Sequence, residues 1–409
     1  MRDSYSQLDQ ADPLAQYRAL FDLPEGVIYL DGNSLGPLPK ATPERIQQVL
    51  HEEWGNQLIK AWTACNWIDL PARIGGKIAR LIGAQPDEVL CADSTSVNVF
   101  KALSAALALN PKRRVILSTS DNFPTDLYMA QGLIRQLDKQ HELRLVSEDE
   151  VSALLTDDVV VLMLTHVNYK TGRMHDMVAL TKQAHACGAL VLWDLAHSAG
   201  ALPVDLNAAQ ADFAVGCGYK YLNGGPGAPA FIYVAQRWQN EFRQPLSGWL
   251  GDARPFAFDP TYEPANGVGR YMVGTPPLLS LAALECGVDI LLDADMNALR
   301  AKSLALGDLF IERVEACCAK HGLTLATPRT HAQRGSQISF HHPEGYAIMQ
   351  ALIAQGVIGD FRAPDIIRFG FAPLYVSYDD VARAVDILIK VLDERLWDAP
   401  QFRMRKKVT

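Results

Sequence analysis

The stretch ALVLWDLAHSAG, residues 189–200, places an aspartate and a histidine directly after a short apolar run. Similar runs recur along the middle of the chain and are mostly separated by segments with helical periodicity: RVILS (114–118), LRLV (143–146), VVVLML (159–164), DFAVGC (212–217) and PAFIYV (229–234). Strands that are apolar on both faces are typical of a parallel sheet covered by helices. The pattern therefore predicts an α/β core from about residue 70 to about 280, with its functional site at the carboxyl ends of the strands.

The pattern changes after about residue 280. A long helical stretch is followed by the short strands QISFHH (337–342) and IIRFGFA (366–372) and by a final helical segment. This predicts a smaller α+β region. We expect a segment over 1–60 that packs across both parts, a large α/β domain over 61–280 and a small C-terminal α+β domain over 281–409.

Composition limits the classes of function. The chain has 409 residues, 49% of them hydrophobic and 21% charged, with a net charge of −8, which is typical of a globular protein and not of a disordered or collagen-like chain. The acidic balance argues against a nucleic-acid binder, because the basic residues form no run beyond the tail from Arg403 to Lys407. The polar start and the lack of 18 successive apolar residues predict a cytoplasmic protein with no membrane partner. Seven cysteines without a C-x-x-C pattern predict neither disulfides nor a zinc site.

Two short motifs match known patterns in the wrong context. GNSLG (32–36) fits the G-x-S-x-G pattern of hydrolases, but Pro37 and Pro39 exclude the helix that must follow the serine. GPGAPA (225–230) fits a dinucleotide-binding pattern, but a strand follows where that pattern requires a helix. Since no H-E-x-x-H occurs either, we expect no metal site.

Four features at strand ends suggest cofactor chemistry. Ser94, Thr95 and Ser96 open a helix, whose N–H groups and hydroxyls can bind a phosphate. Asp194 follows a buried strand and can pair with a protonated ring nitrogen. Lys220 lies in a glycine-rich turn and can act as a nucleophilic amine.

The fourth feature is DNFPTD (121–126), in which Phe123 could lie flat on an aromatic cofactor. Each feature alone also has an ordinary explanation as a helix cap, a surface lysine or a core aromatic. Their joint order along one βαβ series favours the cofactor hypothesis.

At these residues the chain resembles the pyridoxal 5′-phosphate enzymes of fold type I, in the class V aminotransferase superfamily, and closely resembles the kynureninase family. The shared motifs are YLDGNSLGPLP, DNFPTD, WDLAHSAG, GCGYKYLNGGPGAPAF, GWLGD, GRYMVGTPP and IIRFGFAPLY. The resemblance implies the fold type I architecture, with a large, mostly parallel α/β domain and a small α+β domain.

The resemblance also implies roles for single residues. Lys220 would form the Schiff base with the cofactor, Asp194 would bind the pyridine nitrogen, and Tyr219 would take part in proton transfer. The other cofactor contacts implied are Thr95, Ser96, Phe123, Pro124, Thr125, Asp126, Thr165 and His197. Arg368 and Ser34 would contact the substrate, and Arg368 would bind the substrate's α-carboxylate.

A homodimer with shared active sites is implied as well, in which Trp249 and Thr275 come from the neighbouring subunit. Some members of the family carry Asn at the position of Thr275. The implied reaction is hydrolysis of the Cβ–Cγ bond of L-kynurenine or 3-hydroxy-L-kynurenine, which yields anthranilate or 3-hydroxyanthranilate and L-alanine, in tryptophan degradation. Which substrate is preferred, and the pathway context, are left open by the sequence.

Two alternatives remain. A cysteine desulfurase or selenocysteine lyase shares the cofactor residues but needs a reactive cysteine on a C-terminal loop, and no cysteine occurs after Cys318. A non-catalytic binding protein on the same fold would have no need of Lys220, Asp194 and Arg368.

Overall fold

The computed structural model describes residues 2–405, so Lys406 and Lys407 of the basic tail lie outside the described residues. The chain divides into two compact units. The large unit comprises residues 42–169 and 175–292, and the small unit comprises residues 1–41, 170–174 and 293–409.

In the described residues the strands are, in chain order, β1 (Phe21–Asp22), β2 (Ile28–Tyr29), β3 (Leu38–Pro39), β4 (Val89–Cys91), β5 (Val115–Thr119), β6 (Glu142–Val146), β7 (Val159–Thr165), β8 (Leu190–Asp194), β9 (Phe213–Gly216), β10 (Phe231–Val234), β11 (Thr324–Leu325), β12 (Gln337–His341), β13 (Val357–Ile358), β14 (Asp360–Arg362) and β15 (Ile366–Gly370). The α-helices are α1 (Arg2–Gln10), α2 (Ala41–Gln48), α3 (Ala61–Ala64), α4 (Leu70–Leu81), α5 (Thr95–Leu109), α6 (Pro124–Leu137), α7 (Met177–Ala186), α8 (Leu278–Asp293), α9 (Met296–Cys318), α10 (Gly345–Ala354), α11 (Tyr378–Asp393) and α12 (Pro400–Arg403). A π-helical segment, Val49–Gln57, continues α2.

The large unit is built on a seven-stranded sheet with the order β4-β10-β9-β8-β7-β5-β6. Strands β6, β5, β7, β8 and β9 run parallel to one another, whereas β10 is antiparallel to both of its neighbours. Every residue of β7, β8, β9 and β10 is buried, as expected of strands that helices cover on both faces. The prediction of a mostly parallel α/β core is confirmed.

Helices α5 and α6 contribute to the main hydrophobic core of this unit. In α5 the small side chains Ala102, Ala105 and Ala106 are fully buried, and in α6 Ala130 and Leu133 are buried in the same cluster. Small residues on a helix allow it to approach a sheet closely. The N-termini of both helices follow the carboxyl ends of β4 and β5, which brings their first turns to the predicted site edge.

Helix α8 packs within the large unit for a steric reason. A Cβ atom at Gly287 of α8 would lie 2.3 Å from the carbonyl oxygen of Leu222, in the turn that follows Lys220. Val49 likewise shares a hydrophobic cluster with Ala282 of α8. The boundaries between the units therefore lie between residues 41 and 42 and between residues 292 and 293. The sequence pattern suggested boundaries between residues 60 and 61 and between residues 280 and 281.

The small unit contains a four-stranded antiparallel sheet with the order β11-β12-β15-β14. Phe310 of α9 contacts the rings of Phe340, Phe369 and Phe371, which seats α9 against this sheet. Strand β2, near the start of the chain, pairs in parallel with β13. This is the expected α+β architecture. Of the helices within residues 2–405, none combines the length and the apolar character that crossing a bilayer requires.

Candidate active site

Two carboxyl groups meet at the carboxyl end of β8. Asp194 is its last residue and is 4% exposed, and the backbone N–H of Ala196 donates to Asp194 Oδ1 at 2.7 Å. Asp126, in the first turn of α6, is 1% exposed. Burial raises the pKa of Asp126 well above its usual range, and the adjacent Asp194 raises it further. Burial also raises the pKa of Asp194, but there the positive charge of Lys220 opposes the shift. Two buried neighbouring carboxyls disfavour ionising together, and the stronger upward shift of the Asp126 pKa favours Asp126 as the protonated member of the pair.

Lys220 follows β9 in the turn that leads to β10. Its Nζ atom lies 3.0 Å from Nε2 of the buried His197, within hydrogen-bonding distance. The same atom lies 5.8 Å from the ring centroids of both Phe123 and Tyr219. An amine, an imidazole and two aromatic rings are thus brought together with the carboxyl pair, as the sequence predicted for residues at the ends of neighbouring strands.

The motif that carries Phe123 forms the start of α6. Phe123 is the residue before the helix, Pro124 occupies its first turn, and Thr125 follows. Proline suits this position because the first N–H groups of a helix have no intrahelical partner. The ring of Phe123 packs edge-on against Tyr169, with centroids 5.2 Å apart and an interplanar angle of 88°. Tyr169 was not among the predicted site residues.

Asn122 is a second residue that the sequence reasoning missed. It is 3% exposed, and its Oδ1 accepts hydrogen bonds from the Thr165 hydroxyl, from the Thr165 N–H at 3.2 Å and from the Phe123 N–H at 2.8 Å. Its Nδ2 donates to the Ser118 hydroxyl at 2.9 Å. Asn122 therefore ties the ends of β5 and β7 to the start of α6. Its place in the DNFPTD motif was the available signal.

The N-terminus of α5 holds the predicted phosphate-binding residues. Ser94 caps the helix through its side chain, and Thr95 and Ser96 form the first turn. Asp93, just before the cap, has a left-handed φ of 54°. The buried Lys101 bonds to the Asp93 carboxylate and thereby supports this conformation, a contact that the sequence did not indicate.

Four features of these residues fit pyridoxal 5′-phosphate. The helix N-terminus with its hydroxyls suits a phosphate, because its first N–H groups lack intrahelical partners. The carboxylate of Asp194 suits a cationic ring nitrogen. Among the described residues, Oδ2 of Asp126 is buried with no hydrogen-bond partner, so the acid pair has capacity for a further polar group. Lys220 supplies the primary amine that an aldehyde requires.

Trp249 and Thr275 have other neighbours in the described residues than Lys220, His197 and Asp194. Trp249 begins a short helical turn, is 36% exposed and packs edge-on against Phe256. Thr275 is exposed and lines a cavity of about 270 Å³ that Asp93 and Pro229 also line.

In the small unit, Ser34 and Arg368 lie in contact. Arg368 is 1% exposed; its Nη2 donates to the Ser34 hydroxyl at 2.8 Å and its Nε donates to Asp360 Oδ1 at 2.7 Å. With its amide oxygen facing the guanidinium, Asn33 accepts from Nε at 2.9 Å and from Nη2 at 3.1 Å. Asp360 and Asn33 were not predicted as site residues. Asn33 stands inside the GNSLG motif, whereas nothing in the local sequence marks Asp360.

A second acid, Asp31, faces this cluster. Burial raises the pKa of Asp31 to about 7; the nearby Asp360 raises it too, and Arg368 opposes the shift. Among the described residues, Oδ1 of Asp31 is buried with no hydrogen-bond partner. The carboxyl of Asp31 thus titrates near neutral pH.

Comparison with known proteins gives the family. A family model described as the kynureninase C-terminal domain matches residues 299–388. A kynureninase from Pseudomonas fluorescens is 56% identical over 413 aligned residues, which cover 100% of this chain and 99% of that protein. A kynureninase from Burkholderia mallei strain SAVP1 is 55% identical with the same coverage.

Among solved structures, a cysteine desulfurase from Thermococcus onnurineus NA1 superposes with a TM-score of 0.78 at 19% identity, covering 93% of this chain and 98% of that one. At this identity the likeness shows the fold alone, and it confirms the fold class predicted from sequence. With more than half of its residues identical to those of kynureninases along its whole length, the chain belongs to the kynureninase family.

Proposed function

We propose that the protein is a pyridoxal 5′-phosphate-dependent hydrolase that cleaves L-kynurenine with water to anthranilate and L-alanine. The observation that carries this proposal is the contact of Lys220 with the buried His197, close to the buried Asp194, in a chain of this family. The 3-hydroxy derivative of L-kynurenine is a second substrate of the same chemistry, and tryptophan degradation is the pathway that would use it.

The cofactor would be held by residues of the large unit. Thr95 and Ser96 would bind its phosphate, Phe123 would pack on its ring, and Asp194 would bind its ring nitrogen. Pro124, Thr125, Asp126, Thr165 and His197 would complete the surroundings of the ring. When bound, pyridoxal 5′-phosphate supplies an electron sink that stabilises negative charge on carbon atoms of the substrate.

The protein's own groups would handle binding and protons. Lys220 Nζ would take the proton from the substrate's Cα, since it lies beside the ring of Phe123. Tyr219, whose ring lies 5.8 Å from that amine, would serve as the acid or base partner when a proton is returned. Asp194 would keep its partner nitrogen protonated, and the neutral Asp126 would donate a hydrogen bond to Asp194 and so hold it in place.

The substrate's α-carboxylate calls for a planar cation. In the small unit Arg368, with Ser34 beside it, is the group that we assign to this carboxylate, because guanidinium and carboxylate form paired hydrogen bonds.

A homodimer is part of the proposal, with Trp249 and Thr275 serving the partner's site. An exposed apolar surface supports it: Leu58 and Ile59 are 63% and 78% exposed, and Trp54 is 55% exposed. Trp54 also lines a largely apolar cavity of about 450 Å³ with Pro276 and Pro277, directly after Thr275. Exposed apolar patches of this kind mark interfaces. Sedimentation of the wild type and of Ile59→Asp tests this, since the charged variant should dissociate to monomers.

The proposed compartment is the cytoplasm. All seven cysteines are thiols, which suits a reducing environment.

The test is a spectrum and a product assay. The purified protein is mixed with pyridoxal 5′-phosphate and then with L-kynurenine, with fluorescence detection of anthranilate and enzymatic assay of L-alanine. Both products in equal amounts support the proposal. Release of sulfide from L-cysteine without anthranilate would instead indicate a desulfurase, although Cys317 and Cys318 lie in or at the end of α9 and not on a loop. A visible cofactor band with no turnover of any amino acid would indicate a binding protein.

A further inference from the structure

Asp360 and Arg368 face each other across β14 and β15. They are direct partners in the antiparallel register. Arg368 Nε donates to Asp360 Oδ1 at 2.7 Å, Nη2 bonds to Oδ2, and both side chains are 1% exposed. Two parallel hydrogen bonds to one carboxylate fix the plane of a guanidinium as well as its position.

Asp360 does not simply neutralise Arg368. Arg362 Nη2 also lies 2.5 Å from Asp360 Oδ2, so one carboxylate stands between two guanidinium groups. Asp31, with its pKa raised to about 7 chiefly by burial, adds little negative charge below neutral pH. The cluster therefore keeps a net positive charge, and an incoming carboxylate would complete the pairing.

The Ser34 hydroxyl links the two groups. It lies 2.8 Å from Arg368 Nη2, from which it accepts, and 3.1 Å from Asp360 Oδ2, to which it donates. The orientation of the guanidinium is thus determined from two sides, by the cross-strand carboxylate and by this hydroxyl.

We propose that Asp360 is a positioning residue that holds the guanidinium of Arg368 in the plane in which it receives the substrate's α-carboxylate. This inference rests on the proposed function, because it concerns the same substrate and the arginine assigned to it.

The test compares Asp360→Asn, Arg368→Gln and the double variant with the wild type. For each we would measure kcat and KM for L-kynurenine, and inhibition by L-alanine and by ethylamine, which lacks the carboxylate. In Arg368→Gln the carboxylate of Asp360 still pairs with Arg362, so the variant does not leave a buried negative charge without a cation. The matched control is Asp308→Asn, which removes a carboxylate from Arg334, another arginine of the small unit that is 1% exposed.

In Asp360→Asn we expect KM to rise about tenfold to hundredfold with kcat within about threefold, since the lost interaction binds a part of the substrate that does not react. Inhibition by L-alanine should weaken by the same factor, and inhibition by ethylamine should not change. In the Arg368→Gln background, Asp360→Asn should raise KM further by less than about threefold, because the guanidinium that Asp360 positions is gone. Asp308→Asn should leave KM unchanged.

Three results would overturn the proposal. They are an unchanged KM in Asp360→Asn, an equal weakening of inhibition by L-alanine and by ethylamine, and an undiminished rise in KM when Asp360→Asn is added to Arg368→Gln. If Asp360→Asn fails to fold by circular dichroism, Asp360→Glu keeps the charge, displaces the carboxylate and should shift KM in the same direction. A wild type that does not cleave L-kynurenine refutes the proposed function. In that case calorimetric binding of L-alanine to the wild type and to Asp360→Asn still decides the role of Asp360.

Discussion

Nζ of Lys220 lies 3.0 Å from Nε2 of His197, at the edge of the sheet where β8 and β9 end. One of these nitrogens can donate a hydrogen bond to the other. The contact holds the amine beside the ring of Phe123.

Replacement of Lys220 by Ala should abolish turnover and the visible absorption of the lysine-bound cofactor, because it removes the amine that lies beside Phe123, Tyr219 and His197. Absorption spectra and product assays measure both effects. Lys182→Ala, at an exposed lysine of α7, is the control and should match the wild type. A Lys220→Ala protein that keeps both signals would refute the assignment.

The carboxyl pair gives a second prediction. Asp194→Asn removes the charge and should lower kcat by about 10²–10³-fold, as does the loss of other fixed charge at reacting centres. Asp126→Asn should retain activity within about tenfold, because an amide replaces a carboxyl group that is already neutral and can donate the same hydrogen bond. Steady-state kinetics of the two variants decide the matter. Equal losses would mean that Asp126 is ionised.

Asp212, on the large unit, has a structural role. It is 1% exposed and accepts hydrogen bonds from His185, Arg237 and Trp238. Burial alone would raise the pKa of Asp212, but the hydrogen bonds from His185 and Trp238 and the charge of Arg237 outweigh burial and lower it. Asp212→Ala should lower the free energy of unfolding by about 1–3 kcal/mol at pH 7, since it leaves the buried N–H of Val191 and the ring N–H of Trp238 without their acceptor.

The pH dependence of this loss has a definite sign. A carboxyl group whose pKa is lower in the folded protein stabilises it above the ordinary pKa of aspartate, and the effect disappears as pH falls through the folded value. Urea unfolding at pH 7 and at pH 3 should therefore show a smaller difference at pH 3. Asp398→Ala, which removes exposed ion pairs with Arg395 and Arg403, should change little at either pH.

Asp31 should behave in the opposite way. Its pKa of about 7, raised first by burial, means that the folded protein still holds a proton that the unfolded chain has released above about pH 4. Wild-type stability therefore falls relative to Asp31→Asn as pH rises from 4 to 7. Urea unfolding at pH 5 and pH 8 should show a growing advantage for the variant, as much as ~4 kcal/mol at pH 8.

The groups that face Asp31 are Tyr29, Asp360, Arg362 and Arg368, and none of them is changed in this experiment. Asp22→Asn, at an exposed aspartate of β1, should show no such trend. A constant difference between Asp31→Asn and the wild type at the two pH values would contradict the prediction.

The sequence was most informative where residues follow buried strands. Asp194 and Thr165 end apolar runs and Lys220 follows one, so the alternation of strands and helices alone brings them to one edge of the sheet. Asp360 could not be found in this way, because its importance comes from the register that sets it opposite Arg368. Lys101 has the character of a helix-surface lysine in sequence, and only its burial against Asp93 shows its role.

The unit boundary at α8 differs from the one that the sequence pattern suggested, for a related reason. Its hydrophobic pattern predicts a helix but does not say which partner covers it. The close approach of Gly287 to the turn after Lys220 decides this, and that contact joins residues far apart in the chain.

The small unit draws on both ends of the chain: Ile28 of β2 pairs with Val357 of β13. During synthesis the first strands thus leave the ribosome roughly 300 residues before their partner, whereas the large unit can complete its sheet once β10 has emerged. The early segment must wait while the neighbouring unit folds. Pairing between strands so distant in the chain is expected to slow folding, so we expect β2 to pair only after β13 has been made.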